Sequence, residues 1–251
     1  MTDTTDTAVI TKKWIVNTFA GADSGKADGD SIYARFYYPA FITIDAQDNL
    51  FVSDVLNYNI RKITPGAHVT TYAGRDISTP DPVWGNFYGL SIDKQGALFV
   101  VDGYSIRKIT SPTDISVLAG NGSLAIQDGT GTGASFSGIY YLTIDKDDNL
   151  YVADTDMNGG YPYIRKITPG GVVTTIQVQD NTGVPDYGGP QVYWNCAIAI
   201  DKNGTIYRAA NENRVIKKIT PDGNMTVFAG SGNTGFADGR AQPHHLELLR
   251  V

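Results

Sequence analysis

The chain has little of two residue types that build metal centres and covalent frameworks: one cysteine and three histidines in 251 residues. A single cysteine excludes an internal disulfide framework and a four-cysteine zinc site. No run of 18 consecutive apolar residues is present, which excludes a transmembrane helix. The stretch from Met1 to Thr11 has neither a basic nor an apolar region, so it does not read as a secretory signal.

Basic residues are also few, with 20 Lys and Arg against 26 Asp and Glu, giving a net charge of −6. A nucleic-acid surface needs concentrated Lys and Arg, so we expect no nucleic-acid partner. Because no long apolar run is present, we also expect no membrane insertion. The apolar fraction of 41%, with glycine added, is ordinary for a globular protein. Residues 1–12 are polar, which predicts a flexible N-terminal segment.

A repeat runs through almost the whole chain. Its anchor residues are Asp45, Asp93, Asp145 and Asp201, separated by 48, 52 and 56 residues. Each is followed by a turn, an apolar run and an Ile-Arg-Lys-Ile-Thr segment or its close variant. Self-similarity at this period predicts a repeat architecture.

Each repeat reads as four short strands, A to D. Strands A and B are almost continuously apolar, which indicates burial on both faces. In strand C, Ile60 and Ile63 are three residues apart and point to opposite faces. A small sheet that is buried on both faces needs a similar sheet on each side, and radial stacking in a β-propeller supplies this. We expect the Arg and Lys pairs of strand C to lie along the blade edge with their charged ends in water.

The pattern Ile-Asp, Asn-Leu-Tyr-Val-Ala-Asp, Ile-Arg-Lys-Ile-Thr-Pro-Gly-Gly-Val-Val-Thr-Thr at 144–175 resembles the NHL repeat, whose known examples are often six-bladed propellers. The resemblance covers about residues 14–242. It implies an all-β fold, a β-propeller of NHL-type four-stranded blades over residues 13–251, with four complete blades and a partial one. The predicted blades are about 40–74, 88–120, 140–178 and 195–230, with a lone strand D at 14–21 and a partial blade or tail at 231–251.

Four repeats are too few for a six-bladed ring, which leaves three alternatives. The chain is a fragment of a longer protein, a truncated or frame-altered copy, or a ring that closes irregularly or with a second chain. Open blade edges invite pairing, so self-association is expected. The compartment would be cytoplasmic for a complete chain, and extracellular or periplasmic for a fragment of a secreted parent.

The connections from strand D to A and from strand B to C share one face of the propeller and are long or variable, which favours that face for binding. Aromatic residues lie just before each strand A and in the third B–C loop. They would form a pocket for a sugar, a peptide or an apolar group, with packing between blades as the alternative. These candidate ligand-binding residues are Tyr37, Tyr38, Trp84, Tyr88, Tyr140, Tyr141, Tyr161, Tyr193 and Trp194. Phe36 and Phe136 are predicted to be core residues.

Two sets of aspartates receive structural interpretations. The turn that begins at Asp145 has Leu150 where a calcium loop has glycine, so a hairpin turn is favoured. Asp54, Asp102 and Asp154 end strand B and are expected to cap the B–C turn through their own backbone. The alternative is a ring of carboxylates that binds a cation at the axis, which Ala210 in the fourth repeat disfavours. No catalytic residue, metal ligand or cofactor is predicted.

Together these patterns predict a non-catalytic NHL-repeat propeller that acts as a binding scaffold for a protein, peptide or glycan through its loop-rich face. The alternative is a metal-dependent lyase or lactonase-type hydrolase of the six-bladed propeller group. The resemblance implies that such enzymes hold their metal with His, Glu, Asp or Asn near the axis. This chain has few histidines and no matching motif, so we expect that it is not an enzyme.

Overall fold

The structure, a computed structural model, describes residues 15–74, 87–155, 162–182, 197–210 and 213–235. These residues form four sheets, here called blades 1 to 4. Blade 1 contains β1 (Gly29–Asp30), β2 (Pro39–Ile44), β3 (Leu50–Asp54), β4 (Asn59–Ile63) and β5 (His68–Gly74). Blade 2 contains β6 (Phe87–Ile92), β7 (Leu98–Asp102), β8 (Ser105–Ser111) and β9 (Asp114–Ala119).

Blade 3 contains β10 (Gly129–Thr130), β11 (Ile139–Ile144), β12 (Leu150–Thr155), β13 (Pro162–Ile167) and β14 (Val172–Ile176). Blade 4 contains β15 (Gln179–Asp180), β16 (Ile198–Ile200), β17 (Ile206–Ala210), β18 (Val215–Ile219) and β19 (Asn224–Ala229). The helical segments are three 3-10 turns at Ser31–Tyr33, Val55–Asn57 and Gly131–Gly133. In the part of the chain described, no helix is long and apolar enough to cross a membrane.

The four main strands of each blade pair in sequence order as an antiparallel sheet. The first of them, β2, β6, β11 and β16, contact one another from blade to blade and form the inner wall. The predicted β-propeller fold is therefore confirmed. In blades 1 and 3 a two-residue strand, β1 or β10, adds an antiparallel pair on the outer edge, whereas β15 pairs parallel with β19 in blade 4.

An aspartate closes the turn between the first two main strands of every blade. In blade 3, Oδ1 of Asp145 accepts hydrogen bonds from the backbone N–H groups of Asp147 and Asn149, at 2.8 and 2.9 Å. The same two bonds recur at Asp45, Asp93 and Asp201. The interpretation of this motif as a hairpin turn is confirmed, because the carboxylate holds the turn's own backbone.

The core lies between blades, as the spacing of the strand C isoleucines predicts. Ile60 packs with Phe87 and Leu90 between blades 1 and 2. Ile63 packs in a separate cluster on the opposite face of blade 1 with Val52. Each blade is thus apolar on both faces.

The prediction that both basic residues of strand C extend into water is wrong for the first residue of each pair. Arg61, Arg165 and Lys217 are fully buried, and Arg107 is nearly so. In blades 1 to 3 the reason is that a buried aspartate at the end of strand B pairs with the arginine, whereas Lys217 of blade 4 lies 4.0 Å from the partly exposed Asp180. The second residue stays at the blade edge. In blades 1 to 3 the ammonium groups of Lys62, Lys108 and Lys166 lie 5.6–5.8 Å from the centres of the strand B aromatic rings.

Candidate functional site

A β-bulge interrupts the first half of three inner strands. In blade 3, Ile139 pairs with Asp154 and Leu142 with Val152, so two residues of β11 oppose one of β12. Comparable register shifts occur in β6 and β2. Bulges redirect side chains and are frequent beside active sites. Here they occur where each inner strand begins, at the end of the propeller that carries the D–A and B–C connections.

The bulges bring aromatic side chains of different blades together. The rings of Tyr88 and Tyr140 meet edge to face with centroids 5.1 Å apart. The rings of Phe41 and Tyr141 do the same at 4.9 Å, joining blade 1 to blade 3. We call these four residues the axial aromatic cluster. Its three tyrosines are half-buried, so the cluster combines aromatic rings with phenol groups at the start of the inner strands.

Gly89 lets the inner strands of blades 2 and 3 approach closely. A Cβ atom at this position would lie 2.7 Å from the backbone nitrogen of Leu142 and 2.9 Å from the carbonyl oxygen of Tyr140. Such contacts with backbone atoms are too short for any side chain. The glycine therefore fixes the distance between the two strands that carry Tyr88 and Tyr140.

Of the predicted ligand-binding residues, the structure brings Tyr88, Tyr140 and Tyr141 into this cluster. Tyr37 and Tyr38 are exposed, at 49% and 65%, and among the described residues neither ring contacts the cluster. Trp84, Tyr161, Tyr193 and Trp194 lie outside the described residues.

Phe41 belongs to the cluster but was not predicted, because it lies inside strand A rather than before it. A signal for it exists in the repeat itself, since Phe41 precedes Ile42 as Tyr141 precedes Leu142. The predicted core residues Phe36 and Phe136 do pack in the core, Phe136 fully and Phe36 partly buried.

A buried ion pair anchors the loop that leads into the cluster in blade 3. Oδ1 of Asp154 accepts hydrogen bonds from the backbone N–H groups of Ser137 and Gly138, at 2.8 and 3.0 Å. Its Oδ2 lies 2.6 Å from Nη1 of Arg165, and both side chains are fully buried. Arg165 also donates to the carbonyl of Gln127 at 2.9 Å. Burial raises the pKa of Asp154, although these hydrogen bonds and Arg165 oppose the rise.

Blade 1 repeats this anchor. Asp54 accepts a hydrogen bond from the backbone N–H of Tyr37 at 2.6 Å and pairs with Arg61 at 3.1 Å. Arg61 also reaches Asp28, at 2.7 Å. The prediction that Asp54 caps the B–C turn through its own backbone is therefore wrong, whereas the B–C turn after Asp154, at 156–161, lies outside the described residues. Both carboxylates hold the backbone of the preceding D–A loop, because each is buried and faces the start of the inner strand.

The described residues do not fit a divalent metal at this site. Within the ranges given above, no three His, Cys, Asp or Glu side chains come close enough together to hold an ion. His244 and His245 lie outside those ranges. The cluster itself offers aromatic faces and phenols, which suit an organic ligand rather than a cation with oxygen ligands.

Comparison with known proteins identifies the fold. No family model matches the chain, so the NHL repeat stays a resemblance. The chain is similar to virginiamycin B lyase from Staphylococcus aureus, with a TM-score of 0.50, 20% identity, and coverage of 76% of this chain and 55% of the lyase. It is similar to a streptogramin B lyase structure, with a TM-score of 0.53, 15% identity, and coverage of 80% and 57%. A putative gluconolactonase gives a TM-score of 0.50, 13% identity, and coverage of 83% and 67%.

These neighbours are six-bladed propeller-type proteins, and the chain spans little more than half the length of the lyases. They also correct the expectation that the chain is not an enzyme. Solved proteins of this fold bear the names of lyases and of a lactonase, so the lack of a familiar catalytic motif does not make the chain non-catalytic. The binding-scaffold interpretation is not confirmed.

Proposed function

We propose that the chain belongs to an enzyme of the lyase and lactonase propeller group and that its axial aromatic cluster forms one wall of the substrate site. The observation that carries this proposal is the set of bulged inner strands, which concentrate Phe41, Tyr88, Tyr140 and Tyr141 at one end of the inner wall. Aromatic walls with a few polar groups are typical of sites for small organic molecules.

The substrate class follows from the chemistry of the wall. Ring faces would contact the apolar surface of a cyclic compound, while the phenols of Tyr140 and Tyr141 would donate hydrogen bonds to its carbonyl oxygens. A lactone or another cyclic compound with carbonyl groups fits this description. No step of the proposal uses a metal, because the described residues supply no set of ligands for one.

The buried anchors support the same proposal. A binding wall needs its loops held in one position, since misplaced groups lose both affinity and rate. The Asp154–Arg165 and Asp54–Arg61 pairs hold the loop backbones directly before β11 and β2. Their role in the site is positioning, as neither pair reaches the cluster.

The test is turnover by the full chain of gluconolactone and of quinupristin, the compound present in a structure of catalytically inactive virginiamycin B lyase, followed by chromatography of the products. Calcium, magnesium or zinc is added in parallel reactions. We expect conversion of at least one compound, and a drop of about tenfold or more in kcat/KM for Tyr141→Ala, which corresponds to about 1.4 kcal/mol. Tyr163→Ala is the matched control, because Tyr163 is an exposed tyrosine of β13, an outer strand of the same blade.

Two results would overturn the proposal. One is the absence of turnover of both compounds under every condition. The other is an equal effect of Tyr141→Ala and Tyr163→Ala when circular dichroism and melting temperature show that both variants are folded.

A further inference from the structure

Every junction between two described blades is built from the same pair of faces. We call the trailing face of a blade the one that carries its strand B aromatic residue and its first strand C isoleucine. The leading face carries the strand A aliphatic residue and the second strand C isoleucine. Between blades 2 and 3, Phe99 and Ile106 of the trailing face pack on Leu142 and Ile167 of the leading face. The other two junctions repeat these contacts.

The trailing face of blade 4 has no described neighbour on it. Ile216 is 37% exposed, whereas its equivalents Ile60, Ile106 and Ile164 are 0%, 0% and 2% exposed. A cleft of about 490 Å³ lies on this face, lined by Ala209, Ile216 and Ala229 among others. The position and lining match the space that the next blade fills at the other junctions.

The leading face of blade 1 is open in the same way. Ile42 is 61% exposed, whereas its equivalents Leu90, Leu142 and Ile198 are 6%, 8% and 9% exposed. A second cleft, of about 280 Å³, is lined by Phe41, Ile42 and Val52. The chain therefore presents both halves of one junction, at opposite ends of its row of blades.

Residues 15–20 are a third segment of interest, because they pair with no described strand. The loop that follows them repeats the loop after β9. The backbone N–H of Gly21 donates to the carbonyl of Ser31, as that of Gly120 donates to the carbonyl of Gly131. Each loop also has one parallel and one antiparallel bridge at equivalent positions. Residues 15–20 thus precede this loop as β9 precedes its own loop, which is the place where the sequence predicts a lone strand D. They form no strand here, because each described strand C is already paired with its own outermost strand. Ile15 and Val16 are 77% and 93% exposed.

We propose that these three surfaces bind one partner: a polypeptide segment of two blades of the same repeat, the second of which lacks its outermost strand. The first of these blades covers the trailing face of blade 4. The second covers the leading face of blade 1 and takes residues 15–20 as its outermost strand, through main-chain hydrogen bonds of β-augmentation.

The structure and the similar proteins indicate the number and kind of blades in the partner. Four blades are described here, and the similar lyases are six-bladed and nearly twice the matched length. A second copy of this chain fits poorly, because its strands C already have outermost strands and would exclude residues 15–20. The proposal does not depend on the enzymatic function, and its test measures association rather than turnover.

The probe is a polypeptide with the sequence of residues 87–167, which comprises blade 2 and the first three main strands of blade 3 without β14. It is mixed with the full chain, and the products are measured by light scattering and by amide hydrogen exchange. We expect a one-to-one complex in which the amides of residues 15–20 exchange at least about tenfold more slowly.

Three variants of the full chain sharpen the test. Val16→Pro removes an N–H donor that strand pairing needs, and should abolish the protection of residues 15–20. Ile216→Lys puts a charge in the apolar junction and should weaken the complex about tenfold or more. Val117→Lys is the matched control, since Val117 is also a strand residue at 37% exposure but lies on the outer strand of blade 2. It should leave binding unchanged.

In a second experiment, the two-blade segment is joined to the C-terminus of the full chain through a flexible linker. The linker raises the effective concentration of the segment at its binding surfaces. We expect a higher melting temperature and the same protection. Absence of both effects in the joined protein overturns the proposal. A stable homodimer of the chain alone that protects residues 15–20 also overturns it, because a second copy would then be the occupant.

Discussion

The buried pair of Asp154 and Arg165 makes a quantitative prediction about stability. Both side chains have no exposed surface and their charged atoms are 2.6 Å apart. In Asp154→Ala the guanidinium keeps its charge, because its pKa is too high for deprotonation, and two backbone N–H groups lose their acceptor. Breaking a buried pair from one side costs about 3–5 kcal/mol. Arg165 keeps Asp128 as a second partner at 3.0 Å, so we expect a loss of about 3 kcal/mol, at the lower end of this range, from a total of about 5–15 kcal/mol.

Arg165→Met should cost less than Asp154→Ala at neutral pH. The carboxyl of Asp154 keeps its two backbone hydrogen bonds and can become neutral, since burial already raises its pKa. The pKa of Asp154 is higher in the folded protein than in the unfolded chain, where it is about 3.9. The contribution of this carboxyl to stability is therefore fully present below that pH and is lost as pH rises through the folded pKa. The cost of Arg165→Met should therefore grow from acid to neutral pH.

Urea unfolding followed by circular dichroism measures both variants across this pH range. A loss below about 1 kcal/mol for Asp154→Ala, the value of a surface ion pair, would refute the reasoning. So would a larger cost for Arg165→Met than for Asp154→Ala at neutral pH.

Three further predictions concern other parts of the propeller. Gly89→Ala should lower the free energy of unfolding in urea by about 1–3 kcal/mol, because its Cβ meets backbone atoms. Gly133→Ala, with open space around it, should cost clearly less, and equal losses would contradict the close approach of the strands at Gly89. Asp145 is partly buried, which raises its pKa, but hydrogen bonds from Asn149 and from the turn backbone outweigh burial and lower it. Its stabilisation is therefore present above about pH 4 and lost as pH falls, so Asp145→Asn should flatten acid unfolding, and an unchanged pH profile would count against this. Phe136→Ala should cost about 3–5 kcal/mol, since the ring is fully buried between blades, and a loss below about 1 kcal/mol would show that the junction is not packed there.

The sequence predicts most of the fold because each repeat shows where its strands and turns lie and which residues share a face. Ile60 and Ile63 lie in clusters on opposite faces of blade 1, and the aspartate turns recur in all four blades, both as their spacing indicates. The burial of Arg61 and Arg165 was missed, because adjacent basic residues at a strand edge normally extend into water. Each arginine pairs with the buried aspartate that ends strand B and with a second one, Asp28 or Asp128, from a loop 33 or 37 residues earlier. Strand patterning carries no information about such contacts.

The candidate site was predictable only in part. An aromatic residue before strand A signals Tyr88 and Tyr140, but their mutual contact depends on bulges that alternation of apolar residues does not reveal. Phe41 and Tyr141 meet across two blades, and that distance is set by the packing of all the inner strands. Local sequence therefore identified candidates, while assembly of the ring decided which of them form a wall.

The most direct test of the central claim, that the axial aromatic cluster is the wall of a substrate site, is the ratio of kcat/KM for Tyr141→Ala to that of the unmodified chain. The compound for this measurement is whichever of gluconolactone and quinupristin is converted. The account predicts a ratio of about one tenth or lower, with Tyr141→Phe recovering only part of the loss, because the ring remains but the phenol donor is gone. A ratio near one for a folded Tyr141→Ala protein would contradict the claim.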